Sequence, residues 1–261
     1  MLGAVDVEVR DVRGADEMRA CQGVQRRAWG ITEDGYVVPV ATMAAAQRVG
    51  GLVLGAFQGQ QLVGFSFAFL GRLDGRLVLY SQLTGVEPGL QGTGVGRQLK
   101  FEQRRRAREA GLESVVWAFD PLQASNASFN LAVLGATTRT YEVDLYGPRT
   151  DALNAGLATD RLLVEWPTSG EPHGVDARDW SSAPDLIDTA PPPRALPSTN
   201  ARRLRLAIPA DLSRVKADPA LAVEWQEQVR AAFQSAFGAG YVAVGFTRGE
   251  HGPAYLLERR T

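Results

Sequence analysis

The chain has 261 residues, of which 45% are hydrophobic and 22% charged, a composition typical of a globular protein that excludes wholesale disorder. Its 28 basic and 29 acidic side chains nearly cancel, so no bulk positive field is present to hold nucleic acid or an anionic lipid surface. The single cysteine, Cys21, excludes an internal disulfide and a cysteine-based zinc site, and two histidines, His173 and His251, leave little for a histidine-ligated metal.

The sequence predicts neither a secretion signal nor a membrane span. The first ten residues lack a basic stretch followed by an apolar run. The uncharged segment 49–70 is interrupted by polar residues at 58–61, so each half has the length of a strand and not of a membrane span. We therefore expect a cytoplasmic protein with no metal, no nucleic-acid partner and no membrane partner.

The first half of the chain predicts strands, helices and one glycine-rich loop. Alternating valines and charged residues predict a strand at 5–12, and helical patterns follow at 16–29 and 40–49. Apolar runs between turn residues predict strands at 52–57, 62–70 and 76–86. The loop at 91–96 then opens a helix that we expect to end before Gly111.

The second half predicts a shorter series of elements and a break in composition. The predicted elements are a strand at 115–119, a helix at 125–134, strands at 137–146 and 161–166, a strand at 203–208, a helix at 218–237 and a hairpin from 241–247 and 254–258. Proline, serine and aspartate mark 168–200 as a linker or a long surface excursion. The predicted fold class is α/β, with a mixed, mainly antiparallel sheet flanked by helices over 1–167 and a small β-α-ββ subdomain at 201–261.

The glycine-rich loop carries the clearest chemical signal. Gly92, Gly94 and Gly96 remove Cβ atoms that would keep a phosphate away, and successive N–H groups at the positive end of a helix favour an anion. Arg97, in the first helical turn, adds a charged donor. A Walker loop needs Lys followed by Ser or Thr, where this chain has Arg97 and Gln98, and the glycine spacing of a dinucleotide fingerprint is also missing. The loop therefore predicts a phosphate or pyrophosphate site.

The pattern Gln-x-x-Gly-x-Gly at 91–96, following a strand and opening an amphipathic helix, resembles the coenzyme A motif of the GNAT acyl-CoA transferases. The element order over 5–166 is similar to theirs. A subgroup of predicted acetyltransferases with a C-terminal extension is similar in the runs 117–122, 126–130, 134–135, 146–147 and 160–162. Some related enzymes transfer succinyl groups to amino acid nitrogens. The resemblance thus implies an N-acyltransferase that uses acetyl-CoA or succinyl-CoA.

The resemblance also implies a place for each part of the coenzyme. Main-chain N–H groups of the loop would hold the pyrophosphate with support from Arg97; the loop residues are Gln91, Gly92, Thr93, Gly94, Val95 and Gly96. The edge of the preceding strand would bind the pantetheine through Leu83, Thr84, Gly85 and Val86. In this family that strand splays from its neighbour, whose end here would begin at Phe119 and Asp120. Asn126 resembles an asparagine that commonly contacts the coenzyme.

The acceptor site and the catalytic groups are less defined. In GNAT folds the stretch that here holds Glu33, Asp34 and Tyr36 often lines the acceptor pocket; two carboxylates there would hold an ammonium group or belong to an exposed polar loop. Many members place a glutamate on the strand before the loop, where residues 80–84 contain no carboxylate, and a tyrosine where Leu131 stands. Gln82 and Asp120 are the remaining catalytic candidates, and Asp120 has the alternative of capping the following helix.

The sequence leaves three hypotheses about the function. The first is transfer of an acetyl or succinyl group to a primary amine of a small molecule, such as an amino acid, by direct attack in a ternary complex. The missing glutamate and tyrosine leave a non-catalytic acyl-CoA sensor as the alternative, and a regulator that binds ATP through the same loop is the third. The C-terminal subdomain would shape the acceptor site or form the interface of a homodimer. The basic run at 104–106, with Lys100 and Arg108, would contact the coenzyme 3′-phosphate or form a solvated helix face.

Overall fold

The computed structural model describes residues 6–148, 156–171, 174–197, 200–249 and 252–260, so His173 and His251 lie outside the described residues. The contacts divide the chain into two compact units. Unit 1 comprises Met1–Trp117 and Pro167–Gly170, and unit 2 comprises Ala118–Trp166 and Glu171–Thr261. Among the described residues, no helix is long and apolar enough to cross a membrane.

Unit 1 is a sheet covered by helices. Its described elements are, in chain order, β1 Glu8–Asp11, α1 Gly14–Trp29, α2 Val40–Arg48, β2 Leu52–Gln58, β3 Gln61–Leu73, β4 Arg76–Val86, α3 Val95–Glu109 and β5 Ser114–Phe119, whose last two residues fall in unit 2. The strands lie in the order β1-β2-β3-β4-β5; the first four are antiparallel and β5 runs parallel to β4. The predicted α/β class with a mainly antiparallel sheet is confirmed.

The helices of unit 1 pack on opposite faces of the sheet. Helices α1 and α2 cover a cluster that contains Val53 and Phe65, whereas Val95 and Leu99 of α3 pack against a second cluster that contains Leu54. Neighbouring strand residues point to opposite faces, so Val53 and Leu54 enter different clusters. Burial on both faces explains why β2 and the first part of β3 are continuous apolar runs in the sequence.

One ion pair ties the beginning of α1 to β1. Both carboxylate oxygens of Glu17 accept from the Arg10 guanidinium, at 2.9 and 2.8 Å, and Oε2 also accepts from the Arg13 main-chain N–H at 2.7 Å. The hydrogen bond from Arg10 is the main cause that lowers the pKa of Glu17 to about 2. The pair is partly exposed, so solvent screening limits the stabilisation to about 1 kcal/mol.

Glu17→Gln is therefore expected to lower the free energy of unfolding by about 1 kcal/mol at pH 7. Because the folded-state pKa is depressed, the contribution is complete above the ordinary value of 4.5 and is lost as pH falls toward about 2. Urea unfolding at several pH values checks this. A stability difference that persists undiminished at the acid end would show that the charge of Glu17 is not its source.

Unit 2 contains a second run of paired strands. Its described elements are α4 Ala124–Ala127, β6 Thr137–Glu142, β7 Arg161–Pro167 (whose last residue falls in unit 1), β8 Ile187–Asp188, β9 Arg194–Ala195, β10 Arg203–Ala207, α5 Leu212–Lys216, α6 Pro219–Gly238, β11 Tyr241–Gly249 and β12 Gly252–Arg259. Five strands lie in the order β7-β6-β11-β12-β10, with antiparallel neighbours, and β8 pairs with β9. Asp218 caps α6 by accepting from the N–H groups of Ala220 and Leu221.

The structure differs from the sequence prediction in two places in unit 2. The helix expected at 125–134 is one α-helical turn followed by a π-helical segment, Ser128–Val133. The strand expected to reach residue 146 ends at Glu142. Within the stretch predicted as a linker or a long surface excursion, Trp180 is buried and its indole N–H donates to the carbonyl of Leu257 at 3.1 Å. The division at 167 and 201 stays a prediction; by contacts, 118–166 joins the C-terminal segment because β11 pairs with β6.

Candidate functional site

The glycine-rich loop connects β4 to α3 through a 3-10 turn, Pro88–Leu90. Gly92 and Gly94 both have left-handed backbones, with φ of 78° and 96°, which glycine adopts without strain. A Cβ added at either position would meet nothing within 4 Å, so the loop faces open space. At the start of the loop, Glu87 accepts from Arg27 of α1, with Nη2 and Oε1 2.6 Å apart, which ties the loop to that helix.

The loop ends at the N-terminus of α3, where the first main-chain N–H groups have no acceptor within the helix. Gly94 is the N-cap of α3, and within the described part of the chain no side chain caps it. The first N–H groups of a helix, here those of Val95, Gly96 and Arg97, have no partner inside the helix. Two other N–H groups of the predicted cradle are engaged in the loop itself, because those of Gln91 and Thr93 donate to preceding carbonyls at 3.4 Å. The main-chain donors that the loop and helix do not use themselves are thus concentrated at the Gly94 end.

Three side chains of the predicted phosphate site, those of Gln91, Thr93 and Arg97, lie beside the loop. Arg97 is exposed, and its guanidinium carbon lies 5.2 Å from the ring centroid of Phe101. The Gln91 side-chain amide donates to the carbonyl of Val86 at 3.3 Å, and the Thr93 hydroxyl donates to that of Leu90 at 2.7 Å. These two side chains therefore stabilise the shape of the loop.

β4 separates from β5 before it reaches the loop. The parallel pairing joins Leu79 to Val115 and Tyr80 to Val116, and no later β4–β5 pair occurs among the described residues. On its other side β4 stays paired with β3 as far as Val86, with a bulge at Gln82. The β5 side of residues 83–86 is therefore an edge that an extended ligand can join.

The residues along this edge are small or half-buried. Leu83, Thr84 and Val86 are half-buried, and Gln82 is exposed at the bulge. Gly85 is closely packed, since a Cβ there would lie 3.0 Å from the Phe65 ring and 3.2 Å from the Trp29 ring, and these rings would have to shift by a few tenths of an ångström to admit it.

A buried lysine lies beneath β4. Lys100 of α3 is 3% exposed, and its Nζ donates to the Ser81 hydroxyl at 2.9 Å and to Gln103 Oε1 at 3.2 Å. The same nitrogen lies 3.6 Å from the centroid of the Trp117 ring. Burial lowers the pKa of Lys100 well below 10.5. The sequence analysis offered two interpretations of Lys100: contact with the coenzyme 3′-phosphate, or a place on a solvated helix face. Both were wrong, because its spacing from Gln103 and Ala107 puts Lys100 on the packed face of α3.

The basic run that follows is engaged within unit 1. Arg104 donates to the carbonyls of Pro167 and Gly170, each at 2.7 Å. Arg105 and Arg106 both pair with Glu102. These guanidinium groups hold α3 to its surroundings and to its own acidic residues.

The three residues predicted to line an acceptor pocket lie between α1 and α2. Glu33 precedes a 3-10 turn, Asp34–Tyr36, and the exposed Asp34 carboxylate pairs with Arg26 of α1. One of the two carboxylates expected to hold an ammonium group is thus already next to a cation of the chain.

The two remaining candidates belong to unit 2. Asp120 accepts from the Leu122 N–H at 2.9 Å, and burial is the main cause that raises its pKa. This bond caps a turn and not a helix, since α4 begins only at Ala124. Asn126 is exposed on α4, and Leu131 is fully buried.

No family model matches the sequence, and no curated protein matches it. Solved structures do match the fold. The ribosomal-protein-S18-alanine N-acetyltransferase from Escherichia coli aligns with a TM-score of 0.50 at 16% identity, over 66% of this chain and 99% of that one. An acetyltransferase from Salmonella typhimurium, solved with its cofactor acetyl-CoA, gives 0.52 at 20% identity, over 63% and 95%. An N-acetyltransferase from Staphylococcus aureus gives 0.51 at 12% identity, over 63% and 100%. At these identities the likeness is one of fold.

Proposed function

We propose that this chain, which has the fold of the GNAT acetyltransferases, is an N-acyltransferase that takes its acyl group from a coenzyme A thioester. The observation that carries the proposal is the loop at Gly92 and Gly94, which has left-handed glycines facing open space at the N-terminus of α3. It directly follows the strand edge at 83–86. A pyrophosphate site and an extended binding edge are thus adjacent, as a molecule with the length of acyl-CoA requires.

The residues present suit this donor. The N–H groups of Val95, Gly96 and Arg97 and the positive end of α3 favour the pyrophosphate, and the absence of Cβ atoms at Gly92 and Gly94 lets it approach. The amide groups of pantetheine would pair with the edge of β4 as an added strand does. Leu83 and Thr84 are the residues of this edge nearest to the bulge.

The proposed reaction is direct attack. The nitrogen of a neutral amine forms a bond to the thioester carbonyl carbon, the carbon–sulfur bond breaks, the leaving thiolate takes up a proton, and the new amide loses one. An acyl-enzyme is not needed, and the thiol of Cys21 is fully buried with its pKa raised to about 12, mainly by that burial. Gln82, exposed at the bulge, is the side chain we propose to contact the acceptor, a primary amine of a small molecule.

Incubation of the protein with acetyl-CoA or succinyl-CoA and a panel of amino acids and other small amines tests this, with products read by mass spectrometry. We expect an N-acylated amine together with free coenzyme A, and the preferred donor decides between acetyl and succinyl transfer. Calorimetry with coenzyme A and with ATP is run beside it. Coenzyme A binding without any acylated amine would favour a sensor, and binding of ATP alone would overturn the proposal.

A further inference from the structure

We propose that Lys100, acting through the hydroxyl of Ser81, supplies the proton that the leaving thiolate takes up. The inference rests on the proposed acyl transfer and adds a group to it that the sequence did not reveal. Ser81 would touch the sulfur, whereas Lys100 would act from behind it as a positioning and proton-supplying residue.

The first support is the location of Lys100 at the point where two strands part. Tyr80 and Val116 form the last β4–β5 pair among the described residues. The next residue on each strand is therefore Ser81 on β4 and Trp117 on β5. Nζ of Lys100 lies 2.9 Å from the Ser81 hydroxyl and 3.6 Å from the Trp117 ring centroid. The amine thus sits at the vertex of the gap into which the acylated end of a bound pantetheine would extend.

The second support is the set of partners around the amine. An ammonium group has three N–H donors, and Lys100 has three acceptors: the Ser81 oxygen, the Gln103 amide oxygen and the face of the Trp117 ring. The geometry is that of a protonated lysine. Burial nevertheless lowers the pKa of Lys100 well below 10.5, so its proton is given up more readily than that of a surface lysine.

No charge on a neighbouring described element offsets the effect of burial on the pKa of Lys100. Within the described residues no carboxylate pairs with Lys100, and desolvation alone accounts for its lowered pKa. Many charged side chains of α3 and of the strands packed against it pair with groups other than Lys100: Asp11 with Arg106, Arg10 with Glu17, Arg72 with the carbonyl of Gly75, Arg76 with Glu113, Arg105 with Glu102 and Glu109, and Arg104 with the carbonyls of Pro167 and Gly170. The remaining charged side chains of these elements are Glu8 of β1 and Arg97 and Arg108 of α3. β2 and β5 contribute no charged residue.

The third support is a hydrogen-bonded chain that fixes the amide partner. Gln103 Nε2 donates to the Ser66 hydroxyl at 2.8 Å, which turns Oε1 toward Lys100. The Ser66 hydroxyl lies 3.0 Å from that of Thr84 on the β4 edge. Since Ser81 accepts from Lys100, its own hydroxyl proton is left for another acceptor, and a thiolate in the gap would be one.

When the carbon–sulfur bond breaks, the sulfur keeps the electron pair and takes the Ser81 hydroxyl proton, while the Ser81 oxygen takes a proton from Lys100. Lys100 is then neutral, and it regains a proton by the reverse route from water once products have left. The proton lost by the attacking nitrogen goes to solvent.

The pH dependence of kcat tests the proposal with four variants, Lys100→Met, Ser81→Ala, both together, and Lys216→Met as control. The chain has only two lysines, so the control removes the other amine by the same substitution. We expect Lys100→Met and Ser81→Ala each to lower kcat by about 100-fold with little change in the KM for the donor, and the double variant to be no worse than either. The wild type should lose activity as pH rises through the Lys100 titration, and Lys100→Met should lack this alkaline limb. The proposal would be overturned if Ser81→Ala kept the kcat of the wild type and its loss of activity at high pH. The same result in a folded Lys100→Met variant would also overturn it.

Lysine labelled with carbon-13 at Cε gives a readout that does not depend on activity. Two signals are expected, and Lys216→Met assigns them. The Lys100 signal should titrate well below pH 10.5, at the midpoint of the alkaline limb. A Lys100 signal that stays protonated to pH 10 would overturn the inference even if Lys100→Met does not fold. A wild type that acylates no amine contradicts the proposed function instead, and the titration still reports on Lys100.

Discussion

Gly94→Glu should abolish measurable binding of coenzyme A. The residue caps α3 with φ of 96°, so any side chain there is strained by roughly 1–3 kcal/mol. The added carboxylate would enter the open space in front of the loop and occupy the place of the pyrophosphate, with a charge that repels it. We expect the Kd, measured by calorimetry, to rise by on the order of 100-fold or more, which corresponds to roughly 3 kcal/mol.

Gly75→Glu is the matched control for this variant. Gly75 lies in the exposed turn between β3 and β4 and has φ of 79°. A Cβ added there would have no other atom within 4 Å among the described residues. It thus shares the strain and the added charge but lies at the opposite end of β4 from the loop. Its coenzyme A affinity should match that of the wild type. An unchanged Kd in folded Gly94→Glu would remove the loop from the binding site.

The elements of unit 1 were predictable because their signals are local. Apolar periodicity and turn residues define β2, β3 and β4, and the loop at 91–96 carries its own glycine chemistry. In unit 2 the decisive contacts are between distant residues, as where Ala243 pairs with Thr138. The π-helical segment at Ser128–Val133 differs from an α-helix in its hydrogen bonds, and no simple periodicity in the sequence predicts it.

Lys100 shows why part of the site escaped sequence reasoning. It lies close to a run of arginines, so its type and neighbours suggested a charged surface. Its burial depends on β4 and β5 supplying Ser81 and Trp117 as partners, which no local pattern encodes. The ends of paired strands are likewise a tertiary property, so the gap after Tyr80 was implied only by the family resemblance.

Asp160→Ala should have the largest effect on stability, and its effect should be centred on unit 2. The Asp160 side chain is fully buried and accepts from Arg230 Nε at 2.8 Å and Nη2 at 3.0 Å. It also accepts from the Tyr141 hydroxyl at 2.6 Å and from the Asp144 N–H at 3.1 Å. Removing the carboxylate leaves four donor groups without their acceptor. Because Arg230 is 27% exposed, we expect a cost of about 3 kcal/mol, the lower end for a buried ion pair broken on one side.

Urea unfolding measures the loss caused by Asp160→Ala, and hydrogen exchange locates it. We expect faster exchange at 141–144 and 158–161, where β6 and the start of β7 meet Asp160, with the amides of β2 and β3 in unit 1 unaffected at low denaturant. Asp16→Ala is the control, since the Asp16 side chain is 97% exposed and its pair with Arg19 should contribute nothing measurable. If Asp160→Ala were no less stable than Asp16→Ala, the buried carboxylate would not hold β6 and α6 together, and the contacts of Tyr141 with Phe233 would have to account for that packing.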